Sequence, residues 1–163
     1  MISAVFAVDE SGGMGKNGSL PWPFNKDDMI WFKNKTQNHV VIMGRKSWES
    51  PDMPKPLPKR HNVVFTNNFF DGGVEQIRGD VCEGIKHIEL KYPDKEIYVI
   101  GGANLLMQAL PVIDKAYITK ISGDFDCDTK IDLSLFLKNM SLANIHNIGT
   151  CKVEEYEAIP QRT

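Results

Sequence analysis

Short apolar runs recur along the first two thirds of the chain, and they constrain its fold more than any other feature of the sequence. The runs are rich in Val and Ile, have residues typical of turns on either side, and cover residues 2–8, 39–43, 62–66 and 96–101. This is the pattern of strands buried on both faces. Stretches with helical character lie between them. Strands that alternate with helices are joined by crossover connections, so the pattern predicts an α/β domain with a mostly parallel, twisted sheet.

The same pattern predicts four helices flanking the sheet, at residues 26–36, after Gly44, at 80–91 and at 103–110. Asn25 can cap the first of these, and two acids lie in its first turn, where the helix dipole favours negative charge. The third has an apolar face made of Val81, Ile85, Ile88 and Leu90. These features predict amphipathic helices packed against the sheet.

The pattern changes after Pro111. Alternating stretches follow at residues 115–122, 142–148 and 151–158 without helices between them, and Asn147-Ile148-Gly149 is typical of a turn. We therefore expect a C-terminal antiparallel hairpin to complete the sheet.

Length and composition indicate one small domain. A chain of 163 residues with 42% hydrophobic residues can bury a core without disulfides. Cys82, Cys127 and Cys151 are widely spaced and odd in number, which favours free thiols over a disulfide framework or a zinc site. The sequence therefore predicts one domain over residues 1–163 with no metal.

The net charge and the apolar run near residue 1 limit the classes of partner that we expect the chain to bind. The formal charge of −2 argues against a nucleic-acid surface. The apolar run at residues 2–8 lacks a basic region before it and is too short to span a bilayer. We expect a cytoplasmic monomer with a small-molecule partner and no nucleic-acid or membrane partner.

One pair of residues indicates a binding site. Asp28 and Phe32 are four residues apart, so on a helix the carboxylate and the ring share one face. The carboxylate offers two acceptor oxygens to the edge of a flat heterocycle, and the ring can pack beside it. An amphipathic helix with a surface acid and a core Phe is the alternative for this segment alone.

Further motifs identify a family. In order they are Gly15-Lys16-Asn17-Gly18, Leu20-Pro21-Trp22, Val41-Ile42-Met43-Gly44-Arg45-Lys46-Ser47-Trp48-Glu49-Ser50, Pro56-Leu57-Pro58-Lys59-Arg60 and Val99-Ile100-Gly101-Gly102. With Asp28 and Phe32, they resemble dihydrofolate reductase from residue 1 to about 129, and more loosely to the end. The resemblance implies NADPH-dependent reduction of 7,8-dihydrofolate to tetrahydrofolate, which supports one-carbon metabolism and thymidylate synthesis. It also implies binding of diaminopyrimidine and pteridine antifolates.

Glycines mark the expected cofactor site. Gly44 and Gly101-Gly102 each end a strand and precede a helix, so free amides at one edge of the sheet can bind a pyrophosphate. Neither a Gly-x-Gly-x-x-Gly fingerprint nor a P-loop is present, so the dinucleotide assignment depends on the resemblance. The resemblance also implies a cis peptide between Gly101 and Gly102. Close packing of strand and helix is the alternative reason for the two glycines.

The resemblance implies that Arg45 and Lys46 hold the 2′-phosphate of NADPH, although a solvated first turn is the alternative for both. The remaining cofactor positions that it implies are Ala7, Met14, Gly15, Leu20, Ser47, Thr66, Asn67, Ala103, Asn104 and Leu105. Two positions depart from the family, because Asn104 stands where some members have an arginine and Leu106 replaces a tyrosine.

The substrate residues follow from the same resemblance. Asp28 matches the catalytic acid, Thr119 the supporting hydroxyl and Trp22 the indole that binds a bridging water. Arg60 matches the arginine that pairs with the α-carboxylate of the glutamate tail. The expected cleft residues are Val5, Ala7, Met29, Phe32, Leu57 and Ile100. Each could also be a core residue. Asp27 is a rival acid, which we expect to face solvent, since one helical residue rotates a side chain by about 100°.

The implied reaction transfers a hydride to C6 of the pterin and protonates N5. A partly desolvated Asp28 should have a pKa above that of a free aspartate. The glycine-rich segment 9–20 should be flexible enough to close over the nicotinamide, or it is only a surface connection. Two other hypotheses remain: a reductase of the same fold for another pyrimidine-like substrate, and a non-catalytic nucleotide-binding module.

Overall fold

The computed structural model describes residues 1–160. Its strands are β1 (Ile2–Val8), β2 (Gly13–Gly15), β3 (Val40–Gly44), β4 (His61–Phe65), β5 (Glu75–Ile77), β6 (Ile97–Gly101), β7 (Lys115–Lys120), β8 (Thr129–Lys130), β9 (Met140–Asn147) and β10 (Lys152–Ala158). Its helices are α1 (Lys26–Thr36), α2 (Arg45–Glu49), α3 (Val81–Lys91), α4 (Ala103–Ala109) and α5 (Leu133–Phe136), and a 3₁₀ turn follows α4 at Leu110–Val112. The strands and helices predicted from the sequence are present, with bounds that differ by no more than two residues.

Eight strands form the main sheet, in the order β5-β4-β3-β6-β1-β7-β10-β9. The strands from β5 to β7 pair in parallel, whereas β10 pairs antiparallel with both β7 and β9. This arrangement confirms the mostly parallel sheet and the C-terminal hairpin. Because parallel strands end at the same edge, the carboxyl ends of β1, β3 and β6 meet on one side of the molecule.

The structure adds short elements that the sequence did not predict. The strand β5 extends the sheet beyond β4, β2 pairs with β8 in a separate ribbon, and α5 is a fifth helix. One core assignment was wrong, because Leu90 on α3 is 80% exposed while Val81, Ile85 and Ile88 are buried. Leu90 lies two residues after Ile88, a step that turns it by about 200° away from the buried face.

Two apolar layers enclose the sheet. Alternate residues of β1 point to opposite faces: Phe6 packs with residues of α3 and α4, whereas Val5 packs with Trp31 and Phe32 of α1. The three cysteines are free thiols, as predicted. Among residues 1–160, no helix is both long enough and apolar enough to cross a bilayer. Because Val5 packs with Trp31 and Phe32, α1 lies over the face of the sheet whose edge carries the expected site.

Candidate active site

The first turn of α1 positions the acid. The side chain of Asn25 caps the helix by accepting a hydrogen bond from the amide of Asp28, at 3.1 Å. The carboxyl group of Asp28 is partly buried, and this desolvation raises its pKa, although a hydrogen bond from the Thr119 side chain acts in the opposite direction. The raised pKa confirms the direction expected from the sequence.

Thr119 comes from the centre of the sheet. It lies on β7, is only 2% exposed, and pairs with Ala7 of β1 on one side and Val153 of β10 on the other. Strands on both sides therefore fix the position of its side chain opposite α1. Trp22 is 7% exposed and belongs to a small cluster that also contains Ala7. The three expected catalytic residues come from α1, β7 and the segment that leads into α1.

An apolar wall lies beside the acid. Val5, Phe32, Leu57 and Ile100 belong to one cluster, although they come from β1, α1, a loop and β6. Met29 is 36% exposed, so it lies at the rim. The structure thus brings four of the expected cleft residues together and places Met29 outside their cluster.

Asp27 lies on the solvent side of α1, as expected, yet its carboxylate is engaged there by another segment of the chain. Its carboxylate accepts two hydrogen bonds from Thr150 in the β9–β10 turn, from the amide at 3.1 Å and from the hydroxyl at 3.0 Å. These bonds hold its pKa below the ordinary value. A contact between residues 123 positions apart leaves no local signal in the sequence.

Sequence reasoning also missed Trp31. Within residues 1–160, its indole Nε1 is the one buried side-chain polar atom without a hydrogen-bond partner. The ring lies 5.5 Å from that of His146 and 6.2 Å from that of Tyr117, between centroids. A buried N–H normally has a partner, so Trp31 keeps an unused donor on the helix that carries Asp28. Its position three residues after Asp28, on the same helix face, was the available signal.

Arg60 is held in place beside Phe32. Its Nε donates to the carbonyl of Pro58 at 3.0 Å, its Nη1 donates to the Thr36 hydroxyl at 3.2 Å, and its Cζ lies 5.6 Å from the Phe32 ring centroid. Burial lowers the pKa of Arg60. Among residues 1–160, no carboxylate lies within 4.0 Å of its guanidinium nitrogens. The cation is therefore oriented and available to an anionic ligand.

The carboxyl ends of β3 and β6 form a narrow backbone cradle. A Cβ atom on Gly44 would lie 3.8 Å from the carbonyl oxygen of Gly101, and one on Gly101 would lie 3.7 Å from Oγ of Ser47. Gly101 has φ of 137°, and the Gly101–Gly102 peptide is cis, as the resemblance implied. Met14 also reaches this cradle, because its Cε lies 4.0 Å from the point that a Cβ atom on Gly101 would occupy.

The two helices at this edge begin differently from the others. The side chains of Asn25, Asp80 and Asp132 cap α1, α3 and α5. By contrast, α2 and α4 begin after Gly44 and Gly102, with no side-chain cap. Their first amides can therefore bind the oxygens of a phosphate group. The glycine cradle and these amides fit a dinucleotide pyrophosphate.

Arg45 begins α2 at the outer end of the cradle. Its Nη1 donates to the carbonyl of Asn68 at 2.9 Å and approaches the Thr66 hydroxyl at 3.5 Å, while its Nε pairs with Glu49 at 2.6 Å. Lys46 and Asn67, which follow Arg45 and Thr66 in the sequence, are exposed. Arg45 and Thr66 are thus brought together, and Glu49 balances part of the charge.

The other expected cofactor residues differ in whether a ligand could reach their side chain or only their backbone. Gly15 ends β2, Leu20 is 48% exposed, and Ala103, Asn104 and Leu105 form the first turn of α4. The Leu105 side chain packs in the core, so only its backbone can face a ligand. Leu106 is fully buried in the same core cluster.

Segment 9–20 is joined to the loop that follows β7 by several hydrogen bonds. Asp9, 2% exposed, accepts hydrogen bonds from the amides of Gly13 at 2.8 Å and Phe125 at 3.0 Å. Farther along, the amide of Asn17 donates to Asp128 at 2.8 Å. These bonds and the β2–β8 ribbon hold the segment against the loop that follows β7.

A partly desolvated acid, an apolar wall for a flat ring and a glycine cradle for phosphates therefore lie along one rim of an α/β sheet. This combination defines the class of an α/β enzyme that can bind a nucleotide and a flat heterocycle at one edge of its sheet.

Comparison with known proteins identifies the family. The family model described as dihydrofolate reductase matches residues 1–144. The dihydrofolate reductase of Bacillus subtilis is 38% identical over 135 residues, which cover 78% of this chain and 73% of that protein. Dihydrofolate reductase type 8 of Escherichia coli is 31% identical over 165 residues and covers 94% of this chain and 96% of its own length.

A solved structure matches nearly all of the chain. Dihydrofolate reductase from Enterococcus faecalis, complexed with NADP(H) and RAB-propyl, has a TM-score of 0.79 and 28% identity, and covers 97% of this chain and 96% of its own. This chain belongs to the dihydrofolate reductase family, a family of NADPH-dependent oxidoreductases.

Proposed function

We propose that the chain reduces 7,8-dihydrofolate to 5,6,7,8-tetrahydrofolate with NADPH, and that Asp28 is its catalytic acid. The observation that carries this proposal is the position of Asp28: a carboxylate with a raised pKa that lies beside Thr119 and one helical turn before Phe32. It supports the acid as the group that recognises the pterin, because Asp27 next to it is engaged by Thr150 instead.

Binding of the pterin follows from the acceptors in the site. The two oxygens of Asp28 accept hydrogen bonds from the amidine-like edge of the ring, and Thr119 supports that carboxylate. Phe32 and the apolar wall pack against the faces of the ring and the benzoyl group. The same carboxylate would pair with a protonated diaminopyrimidine, so the site is also expected to bind antifolates.

The glutamate tail is assigned to Arg60. Its guanidinium is already oriented by Pro58 and Thr36, so a bidentate pair with the α-carboxylate needs little further ordering. The apolar wall and Arg60 together favour dihydrofolate over a small pyrimidine that lacks the tail.

The cofactor is assigned to the glycine cradle. The first amides of α2 and α4, with Ser47, would hold the pyrophosphate, and Arg45 with Thr66 would hold the 2′-phosphate. A bound NADPH supplies the hydride that reduces C6 of the pterin. Ile100 precedes the cradle and packs in the cluster that contains Phe32, which supports binding of the two ligands side by side.

Proton delivery completes the reaction. Asp28 polarises the ring through its hydrogen bonds and favours the form of the substrate protonated at N5. The proton reaches N5 through water, which Trp22 positions. Segment 9–20, held by Asp9 against the loop after β7, shields the reacting atoms from bulk solvent.

The test is the loss of NADPH absorbance when dihydrofolate is added to the purified protein. We expect turnover with dihydrofolate and little with a pyrimidine substrate that lacks the glutamate tail. Binding of NADPH without turnover would indicate a nucleotide-binding module instead. Faster turnover with the pyrimidine would indicate a different reductase of the same fold.

A further inference from the structure

The polar contact between α1 and the β9–β10 turn has no part in the reaction described above, yet it joins the residue next to the catalytic acid to the sheet. Both Thr150 donors reach the same atom, Oδ2 of Asp27. A Cβ atom on Gly149 would lie only 2.5 Å from that oxygen, so the turn backbone passes close to one side of the carboxylate. We refer to the Asp27–Thr150 contact as the clasp.

The clasp links the start of α1 to Thr119 through a short series of neighbouring residues. Thr150 stands three residues before Val153, and Val153 pairs with Thr119, whose side chain faces Asp28. Asp28 in turn is the chain neighbour of Asp27. Any movement of the first turn of α1 away from the hairpin therefore changes the separation of Asp28 and Thr119.

Apolar packing secures the first turn of α1 only weakly. Thr36, in the last turn, is the one fully buried residue of the helix, while Met29 and Ile30 are 36% and 47% exposed. Trp31 and Phe32 pack against the sheet at the middle of the helix. The polar contacts that hold the turn carrying Asp28 include the Asn25 cap, which is local to the helix. The Thr119–Asp28 hydrogen bond and the clasp both reach the sheet, and the clasp is the one that does not involve the acid itself.

We propose that Asp27 is a positioning residue, which clasps the β9–β10 turn and thereby holds Asp28 in its desolvated place beside Thr119. This proposal rests on the proposed function of Asp28. A helix end released from the clasp would let water reach Asp28 and would misalign the carboxylate with the ring that it binds.

Three variants separate the contact from the charge. Asp27→Ala removes the clasp and the charge. Asp27→Asn removes the charge but keeps a side-chain oxygen that can accept both bonds from Thr150. Gly149→Ala keeps the charge and displaces the carboxylate, and its φ of 84° adds strain to the turn. The matched control is Asp80→Ala, since Asp80 accepts an amide hydrogen bond at the start of α3, in the opposite layer of the fold.

The measurements are the hydride-transfer rate with dihydrofolate, the dissociation constant of NADPH, and the pKa of the Asp28 carboxyl by carbon-13 NMR. We expect Asp27→Ala and Gly149→Ala to slow hydride transfer by roughly 10- to 100-fold, the scale of a small misplacement. In both, the pKa of Asp28 should fall towards its ordinary value while NADPH affinity is retained. Asp27→Asn should stay close to the parent, as should Asp80→Ala.

Parental rates together with an unchanged Asp28 pKa in Asp27→Ala and Gly149→Ala would overturn the proposal. A loss in Asp27→Asn as large as in Asp27→Ala would also overturn it, because charge rather than contact would then matter. Lower stability with an unchanged Asp28 pKa would reduce the clasp to a purely structural role. Absence of turnover in the parent protein would contradict the proposed function instead. In that case the pKa of Asp28, measured by NMR in the same variants, would still test the clasp.

Discussion

Replacing Arg60 by Leu should weaken binding of dihydrofolate through its glutamate tail alone. The guanidinium is fixed by Pro58 and Thr36 and packs on Phe32, and no carboxylate among residues 1–160 neutralises it. Its lowered pKa reflects desolvation, so part of its hydration has already been lost before a ligand arrives. An arginine in this condition gains more from a carboxylate than one in free solution.

The size of the effect follows from these contacts. Hydrogen bonds to a charged group contribute about 1.5–3 kcal/mol, so losing the pair should raise KM for dihydrofolate by roughly 10- to 150-fold. Thr36→Val keeps the shape of the helix end but removes the acceptor that orients Nη1, at 3.2 Å. That change should cost about 0.5–1.5 kcal/mol, or roughly 2- to 12-fold in KM.

The assay compares steady-state reduction of dihydrofolate with that of dihydropteroate, which lacks the glutamate. Arg78→Leu is a matched control, since Arg78 packs over Phe69 at 4.9 Å on another part of the surface. Arg60→Leu should leave the KM for dihydropteroate close to that of the parent. Equal losses on both substrates would refute the assignment of Arg60 to the tail.

Two further predictions concern cofactor choice and stability. Arg45→Leu should weaken NADPH binding by about 1.5–3 kcal/mol and leave NADH binding nearly unchanged; equal loss of both in titrations would refute the 2′-phosphate role. Burial would raise the pKa of Glu75, but hydrogen bonds from Lys91, Tyr92 and His61 lower it to about 2 from 4.5. Glu75→Gln should therefore destabilise the fold by about 1–2 kcal/mol in urea unfolding at neutral pH, after allowance for solvent screening, and that difference should shrink as the pH falls below 4.5.

The sequence predicted the main sheet because its strands are buried. Residues such as those of β3 and β6 form uninterrupted apolar runs, and burial on both faces requires them. The ribbon of β2 and β8 has no comparable signal, since Gly13–Gly15 and Thr129–Lys130 are too short for a periodic pattern. Its pairing depends instead on Asp9, which draws the two loops together.

In the candidate site, too, the sequence predicted some features and could not predict others. Spacing from Trp22 and Phe32, matched to the family pattern, favours Asp28 over Asp27 as the acid, because neighbouring helix residues point in different directions. It could not predict the bonds from Thr150 to Asp27, or the close packing of Trp31 against Tyr117 and His146. Those contacts join segments far apart in the chain, and only the folded sheet brings them together.

Because folding raises the pKa of Asp28, the Asp28→Asn variant also makes a prediction about stability. A carboxyl whose pKa is raised on folding contributes stability that is complete below its unfolded pKa and is lost as the pH rises through its folded pKa. At neutral pH the charged form is therefore a cost to stability. The Asn variant should be as stable as the parent or more so, and any loss of activity will then come from the chemistry.

The most direct test of the account is the pH–rate profile of Asp28→Asn with dihydrofolate and saturating NADPH. Turnover near neutral pH should fall by about 10²-fold or more, the scale of a lost acid–base group. Part of the rate should return at low pH, since the solution then supplies substrate already protonated at N5. A variant that kept the parental rate at neutral pH, or that lost the same factor at every pH, would contradict the role of Asp28 as the catalytic acid.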